Sequence, residues 1–255
     1  MNGYLTVAHL NKRFGGLLAL NDCTFTTTEG RITCLVGPNG AGKTTIFNVI
    51  TGFLRPDTGT VQFRARPLDG MRPQAVVRAG VARSFQNLRL FQDLSALDNV
   101  LVGLPRQFGE EPLGAIFRPL HTARMQRARR AQAEAALAHV GLGARAGDLV
   151  RNLSYGEQKL LSIARLLATG AELLLLDEPT SGLSGAALDA IMALLRRLQR
   201  DDGKTLLVVE HNTRVVQQIA DEVLFLHQGQ LIAQGTPAAV TGDPALAKIY
   251  FGGAI

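Results

Sequence analysis

The chain has 255 residues, enough to bury a substantial core as one large domain or as a domain with a subdomain. Its hydrophobic fraction of 46% and charged fraction of 19% are those of an ordinary globular protein, and no stretch approaches the roughly 20 apolar residues a bilayer-spanning helix needs. The formal charge of +6, from 27 basic and 21 acidic residues, leaves nucleic acid, an acidic membrane surface or a polyanionic nucleotide open as partners. The excess crowds into Arg118, Arg124, Arg127, Arg129 and Arg130, with His121 among them. No aromatic residue interleaves that cluster, so a solvated helix face is expected there and no nucleic-acid binding. Met1-Asn2-Gly3-Tyr4 lacks the basic and apolar regions of a signal peptide. Cys23 and Cys34 lie in adjacent predicted strands without a His cluster, which reads as a cytoplasmic thiol pair and not as a metal site.

In chain order, residues 4–9 and 21–28 carry alternating or β-branched residues, and Glu29-Gly30 turns into a strand at 31–36. Phe14, beside Gly15-Gly16, reads either as packing or as a ring that stacks on an adenine. The apolar run Ile32–Val36 leads into Gly37-Pro38-Asn39-Gly40-Ala41-Gly42-Lys43-Thr44-Thr45, followed by a helical pattern to Thr51. Strand, G-x-x-x-x-G-K-[ST] and helix in that order make a phosphate-binding loop. Glycines let successive backbone N–H groups turn toward phosphate oxygens, and the helix N-terminus adds its positive dipole end. Lys43 is expected on the β- and γ-phosphates and the Thr44 hydroxyl on Mg²⁺.

A turn cluster at 55–59 precedes a strand at 59–63; Pro73 opens a short helix that Gly80 closes, and a strand at 81–86 ends in Gln86. From Asn87 to Gly170 strand patterns vanish and Ala, Leu and Arg recur at helical spacing, notably over His121–Val140, with an irregular stretch from Gly103 to Pro119. Ser154, with Glu157 three residues on, fits a capping box before a helix from Lys159 to Ala168. The same stretch, through the Ser154 hydroxyl and the Gly156 backbone, can also present a second anion-binding helix N-terminus.

A buried strand from Ala171 to Leu176 ends in Asp177-Glu178-Pro179. Beside a phosphate loop, these acids are expected to divide the work: Asp177 to hold Mg²⁺, directly or through water, and Glu178 to orient or polarise the attacking water. Ser184 is expected to cap a helix at 185–199, and Thr205–Val209 forms a strand ending in Glu210-His211. His211 reads as a partly buried polar residue or as a phosphate contact. A hairpin of 222–227 and 230–234 follows, then short helices from Pro237 and Pro244.

The order of these motifs closely resembles the ATP-binding cassette of ABC transporters over nearly the whole chain, with Leu153-Ser154-Tyr155-Gly156-Glu157 as the diagnostic part. The resemblance implies an α/β fold with a P-loop NTPase (RecA-like) core, an antiparallel β region and an inserted helical subdomain. Residues 1–86 and 171–240 would form the catalytic core, 87–170 the helical subdomain and 241–255 a C-terminal tail. It also implies Phe14 as the adenine-stacking residue, Gln86 as a Mg²⁺ and coupling sensor and His211 as the γ-phosphate switch. Two cassettes, identical or paralogous, would close around ATP. Each site would be shared between one subunit's Lys43 loop and the other's Ser154-Gly156-Glu157 element. The motion would pass to integral-membrane permease subunits beside Gln86, at the cytoplasmic face of the membrane.

A narrower resemblance, to the ATP-binding subunit of branched-chain amino acid importers, lies in four features. They are Arg13 to Leu20, Ala82-Arg83-Ser84-Phe85-Gln86-Asn87 with Arg89-Leu90-Phe91, the 103–120 segment and the Tyr-Phe-Gly end. A periplasmic or surface binding protein is then an indirect partner. Cassettes for urea, short amides or aromatic acids look similar. Rival readings are a soluble ABC ATPase acting on nucleic acid or ribosomes, suggested by the charge, and the cassette of a lipid exporter. Where the family usually carries a loop ending in Asp, Ser181-Gly182-Leu183-Ser184 has no acid.

Overall fold

A computed structural model describes residues 3–104 and 119–251. The backbone divides into two compact units, Met1–Gln86 with Glu172–Ile255, and Asn87–Ala171.

The first unit opens with an antiparallel hairpin of β1 (Leu5–Phe14) and β2 (Leu17–Thr27), with Phe14 opposite Leu17. Both strands run beyond the expected 4–9 and 21–28, because the connection is the tight turn Gly15-Gly16, where Gly15 takes a φ of 56°. Strand β3 (Ile32–Val36) and helix α1 (Lys43–Ile50) flank the glycine loop, and β4 (Thr58–Phe63) and β5 (Arg66–Pro67) follow. One four-stranded antiparallel sheet results, in the order β2-β1-β4-β5.

After helix α2 (Pro73–Arg78), strand β6 (Val81–Arg83) enters a second sheet. It stops three residues short of Gln86, which therefore lies in a loop and not at a strand end. The backbone N–H of Ser84 still donates to Leu175 O (2.9 Å), but the N–H of Asp177 donates to the Ser84 hydroxyl (3.1 Å), so a side chain ends the ladder.

In the second unit, α3 (Ala96–Gly103) starts on Ser95, whose hydroxyl accepts from Asp98 N–H at 3.0 Å. Helices α4 (Pro119–His139) and α5 (Tyr155–Ala168) complete it, and no strand lies among its described residues. Arg124, Arg127 and Arg130 are exposed on α4, whereas Arg129 is half-buried and donates to Leu101 O. Arg118 and the irregular stretch at 105–118 fall outside the described residues.

The chain re-enters the first unit as β7 (Leu173–Asp177), α6 (Gly185–Arg200), β8 (Thr205–Val209), α7 (Thr213–Ile219), the hairpin β9 (Glu222–His227) and β10 (Gln230–Gly235), and helices α8 (Pro237–Thr241) and α9 (Pro244–Phe251). Ser184 stands at the N-cap of α6 with extended backbone, but its side chain makes no cap hydrogen bond, contrary to expectation. The second sheet has the order β10-β9-β3-β8-β7-β6, parallel except for β10. Every residue of β3, β7 and β8 is buried, which is why these strands read as unbroken apolar runs. One hydrophobic cluster joins Leu5 and Val7 of β1, Ile46, Phe47 and Ile50 of α1 and Leu35, Leu175 and Leu207 of the second sheet. Burial of each such side chain contributes about 1.5–3 kcal/mol.

Cys23 and Cys34 lie in different sheets, both buried and both free. Burial pushes the Cys23 thiol up to about 12 and the Cys34 thiol higher still. The native protein is expected to show no thiol reactive toward Ellman's reagent at pH 8, and both after denaturation. A native thiol that reacts at the rate of free cysteine would contradict this packing.

Candidate active site

The loop after β3 depends on glycine in two physical ways. Gly37, Gly40 and Gly42 have φ of 147°, 80° and 106°, values that L side chains rarely adopt. A Cβ on Gly37 would come within 2.0 Å of Leu226 O, and one on Gly42 within 2.6 Å of Ala19 O. The loop is braced from behind, where Gly229 of the β9–β10 turn donates to Ala41 O at 2.9 Å. Gly42 is the N-cap of α1 and no side chain caps that helix, so its first N–H groups are left for an outside acceptor. Lys43 Nζ donates to Gly37 O (2.6 Å) and Pro38 O (2.9 Å). Burial lowers the pKa of its ammonium, while Glu178 and Asp177 pull the other way.

A cleft of about 510 Å³ runs along this loop, bordered by Phe14, Asn39, Gly40, Ala41, Gly42, Lys43, Thr44, Thr45, Gln86, Asp177 and Glu178. The glycine loop and Asp177-Glu178, far apart in the chain, thus share one wall with Val209, because β3 and β7 both pair with β8 in parallel. Phe14 is half exposed at the cleft edge, with Lys12 Nζ 5.8 Å from its ring centroid.

Asp177, the last residue of β7, is buried and ion-paired: Arg83 Nη2 donates to its Oδ2 at 2.9 Å. Arg83 Nη1 donates to Asn48 Oδ1 of α1 at 2.6 Å, and the guanidinium lies over the rings of Phe47 (5.2 Å) and Phe85 (5.1 Å). Sequence reading gave Arg83 and Ser84 no role beyond a shared motif and gave Asn48 none at all. The available signal was an arginine in the apolar strand Val81-Ala82-Arg83, since a charge buried there needs a partner.

Glu178 has a φ of 50°, a left-handed conformation that costs a non-glycine residue about 1–3 kcal/mol. Its N–H donates to Val209 O (3.0 Å) and its carbonyl accepts from Ser181 N–H (3.2 Å). Gln86 Nε2 donates to Glu178 Oε2 at 3.0 Å, and His211 Nδ1 lies 3.7 Å from Oε1. One carboxylate is therefore bracketed by the amide and the imidazole. No group of three or more His, Cys, Asp or Glu residues able to hold a metal occurs among the described residues. Oxygen donors that border the cleft include the Thr44 hydroxyl, Gln86 and the carboxylates of Asp177 and Glu178. That set suits Mg²⁺, which takes one or two carboxylates and completes its shell with phosphates and water.

Ser154, Gly156 and Glu157 lie in the second unit, at the start of α5. The expected capping box is present: the Ser154 hydroxyl accepts from Glu157 N–H (3.3 Å), and Ser154 N–H and Oγ–H donate to Glu157 Oε2 (2.8 Å each). The Ser154 backbone N–H, then its hydroxyl, hold the Glu157 carboxyl below its ordinary range, helped by Arg145 at 3.0 Å.

The glycine loop at the carboxyl end of a parallel strand, with Lys43 and two strand-end acids, defines a P-loop nucleoside-triphosphatase. A family model described as "ABC transporter" matches residues 20–181. The high-affinity branched-chain amino acid transport ATP-binding protein LivG of Salmonella typhimurium is 37% identical over 248 residues, 97% of either chain. A crystal structure of the ADP conformation of MJ1267, an ATP-binding cassette of an ABC transporter, superposes with a TM-score of 0.85 at 29% identity, covering 98% of both chains. The dimeric structure of MJ0796, a bacterial ABC transporter cassette, gives 0.76 at 25% identity, over 91% of this chain and 98% of that one. The chain belongs to the ABC transporter family, as one of its nucleotide-binding ATPase cassettes.

Removing Arg83 would strand the Asp177 carboxylate in the interior. Arg83→Ala is expected to lower unfolding stability in urea by about 3–5 kcal/mol, with part of the loss recovered in Arg83→Ala/Asp177→Asn. A loss under about 1 kcal/mol would show that the pair does not hold this part of the site.

Proposed function

We propose that this chain powers a membrane importer for branched-chain amino acids or related small polar metabolites by hydrolysing ATP. Hydrolysis rests on one observation, the Glu178 carboxylate bracketed by Gln86 and His211 in the wall of the Lys43 cleft. Lys43 releases its two loop carbonyls for the β- and γ-phosphates. The N–H groups of Gly40 to Thr45 line the phosphate chain, with Gly37, Pro38, Asn39 and Ala41 shaping the turn, and Phe14 stacks on the adenine. Thr44, Asp177 and Gln86 would hold Mg²⁺, which would supply positive charge to offset that of the phosphates. Glu178 accepts a proton from the attacking water, and His211 donates a hydrogen bond to the γ-phosphate.

Residues 1–86 and 171–240 act as the catalytic core and 87–170 as the helical subdomain, with 241–255 as a tail. The site is completed by a second cassette, whose Ser154 hydroxyl turns from Glu157 to the γ-phosphate while the Ser154 backbone N–H keeps its bond to Glu157. The dimeric cassette among the structural relatives supports this pairing. No helix among the described residues is long and apolar enough to cross a membrane, in keeping with a peripheral subunit that binds permease subunits at the cytoplasmic face. The cargo assignment, and with it an indirect binding-protein partner, is supported by LivG, named for branched-chain amino acid transport.

Glu178→Gln is expected to bind ATP normally, lose turnover by about a hundredfold or more, and accumulate as an ATP-bound dimer by light scattering. Turnover at the wild-type rate would exclude Glu178 as the water-polarising group. A strain lacking the gene should lose high-affinity uptake within a panel of leucine, isoleucine and valine; unchanged uptake of all three would contradict the cargo.

A further inference from the structure

Glu210 follows β8 directly and is fully buried, a charge-bearing side chain at the end of a strand whose own residues are all buried as well. Its Oε1 accepts from both the backbone N–H (3.1 Å) and the hydroxyl (2.6 Å) of Thr180, itself buried. Among the described residues its Oε2 has no hydrogen-bond partner of good geometry. Burial pushes the carboxyl up, against the hydrogen bonds from Thr180 and the charge and backbone N–H of His211. A group this costly to bury needs a task, and the chemistry assigned to the cleft gives it none.

The task is visible in what Thr180 is joined to. Thr180 lies two residues after Glu178, whose left-handed backbone persists only where its surroundings over-determine it. Two main-chain bonds, Glu178 N–H to Val209 O and Ser181 N–H to Glu178 O, hold the turn. The Thr180–Glu210 pair adds a further tie to the end of β8, at the residue that precedes His211. We propose that Glu210 is a positioning residue for ATP hydrolysis: through Thr180 it holds the Glu178 turn and the His211 segment in one register, so that the imidazole stays beside the carboxylate that borders the cleft. Oε1 remains an acceptor in either ionisation state, so the clasp does not depend on the charge. Nothing in this role touches nucleotide; it acts on where Glu178 points.

The inference rests on the assignment of Glu178 as the water-polarising group. Steady-state ATP hydrolysis by the full chain tests it, with Glu178→Gln measured alongside. Glu210→Ala and Thr180→Val are each expected to lower kcat tenfold or more with KM for ATP within twofold. Thr180→Ser, which keeps the hydroxyl, and Glu210→Gln, which keeps the acceptor, should restore kcat to within threefold of wild type. Thr180→Val changes one hydroxyl to a methyl of similar size, so it carries the test even where Glu210→Ala fails to fold. Unchanged kcat in Thr180→Val, a parallel loss of ATP affinity, or no rescue by Thr180→Ser would overturn the positioning role. Were Glu178→Gln itself to turn over normally, the underlying assignment would fail instead, whatever the Thr180 variants did.

Discussion

The parallel pairing of β3, β8 and β7 is the constraint on which the rest of the site depends. The ladder sets Leu35 and Asp177 each against Val209, on the two sides of β8. Three chain segments therefore leave the sheet at nearly one level: the glycine loop, Asp177-Glu178 and Glu210-His211. Slipping one strand by a residue would turn its side chains to the opposite face of a sheet buried on both sides. Asp177 would then lose Arg83, and Glu178 would lose Val209 O as the acceptor that fixes its turn. The apolar strands are thus the ruler against which the polar groups at this edge are placed.

Charges at this edge are tolerated because each has been given a specific neighbour. Asp177 has Arg83, Glu210 has Thr180, and Glu178 has Gln86 and His211. Lys43 is the exception in kind: among the described residues its ammonium donates to two loop carbonyls, in a setting where burial disfavours its charge and Glu178 and Asp177 favour it. Together with the uncapped first turn of α1, this leaves a surplus of donors facing a cleft, and an oligophosphate is the ligand that meets it. Binding energy and geometry at this edge have a common origin in the termination of β3 by a loop that only glycine can build.

Much of this was legible in the chain itself. The phosphate loop, the acids after Leu173–Leu176 and the capping box at Ser154 are local patterns, and local patterns carry their chemistry with them. The all-buried parallel strands were also readable, because such strands are apolar without alternation. What escaped notice has a common cause. Arg83, Asn48, Thr180 and Glu210 act through partners 30 to 94 residues away, and no spacing rule joins them. Gln86 read as a strand end because Val81 to Phe85 has strand character throughout. The Ser84 hydroxyl, which takes over a backbone position, ends β6 early. Ser184 occupies the expected cap position without making a cap bond, since composition specifies where a helix starts better than how its end is satisfied.

The central claim is that the strand-end loop binds a nucleoside triphosphate by its phosphates and that Lys43 is the principal charge in doing so. Calorimetric titration of ATP with Mg²⁺ into the full chain, wild type against Lys43→Ala, tests it most directly. A charge-assisted hydrogen bond contributes about 1.5–3 kcal/mol, so the substitution should weaken binding about ten- to a hundredfold. Equal affinity for ATP in the two proteins would contradict the account.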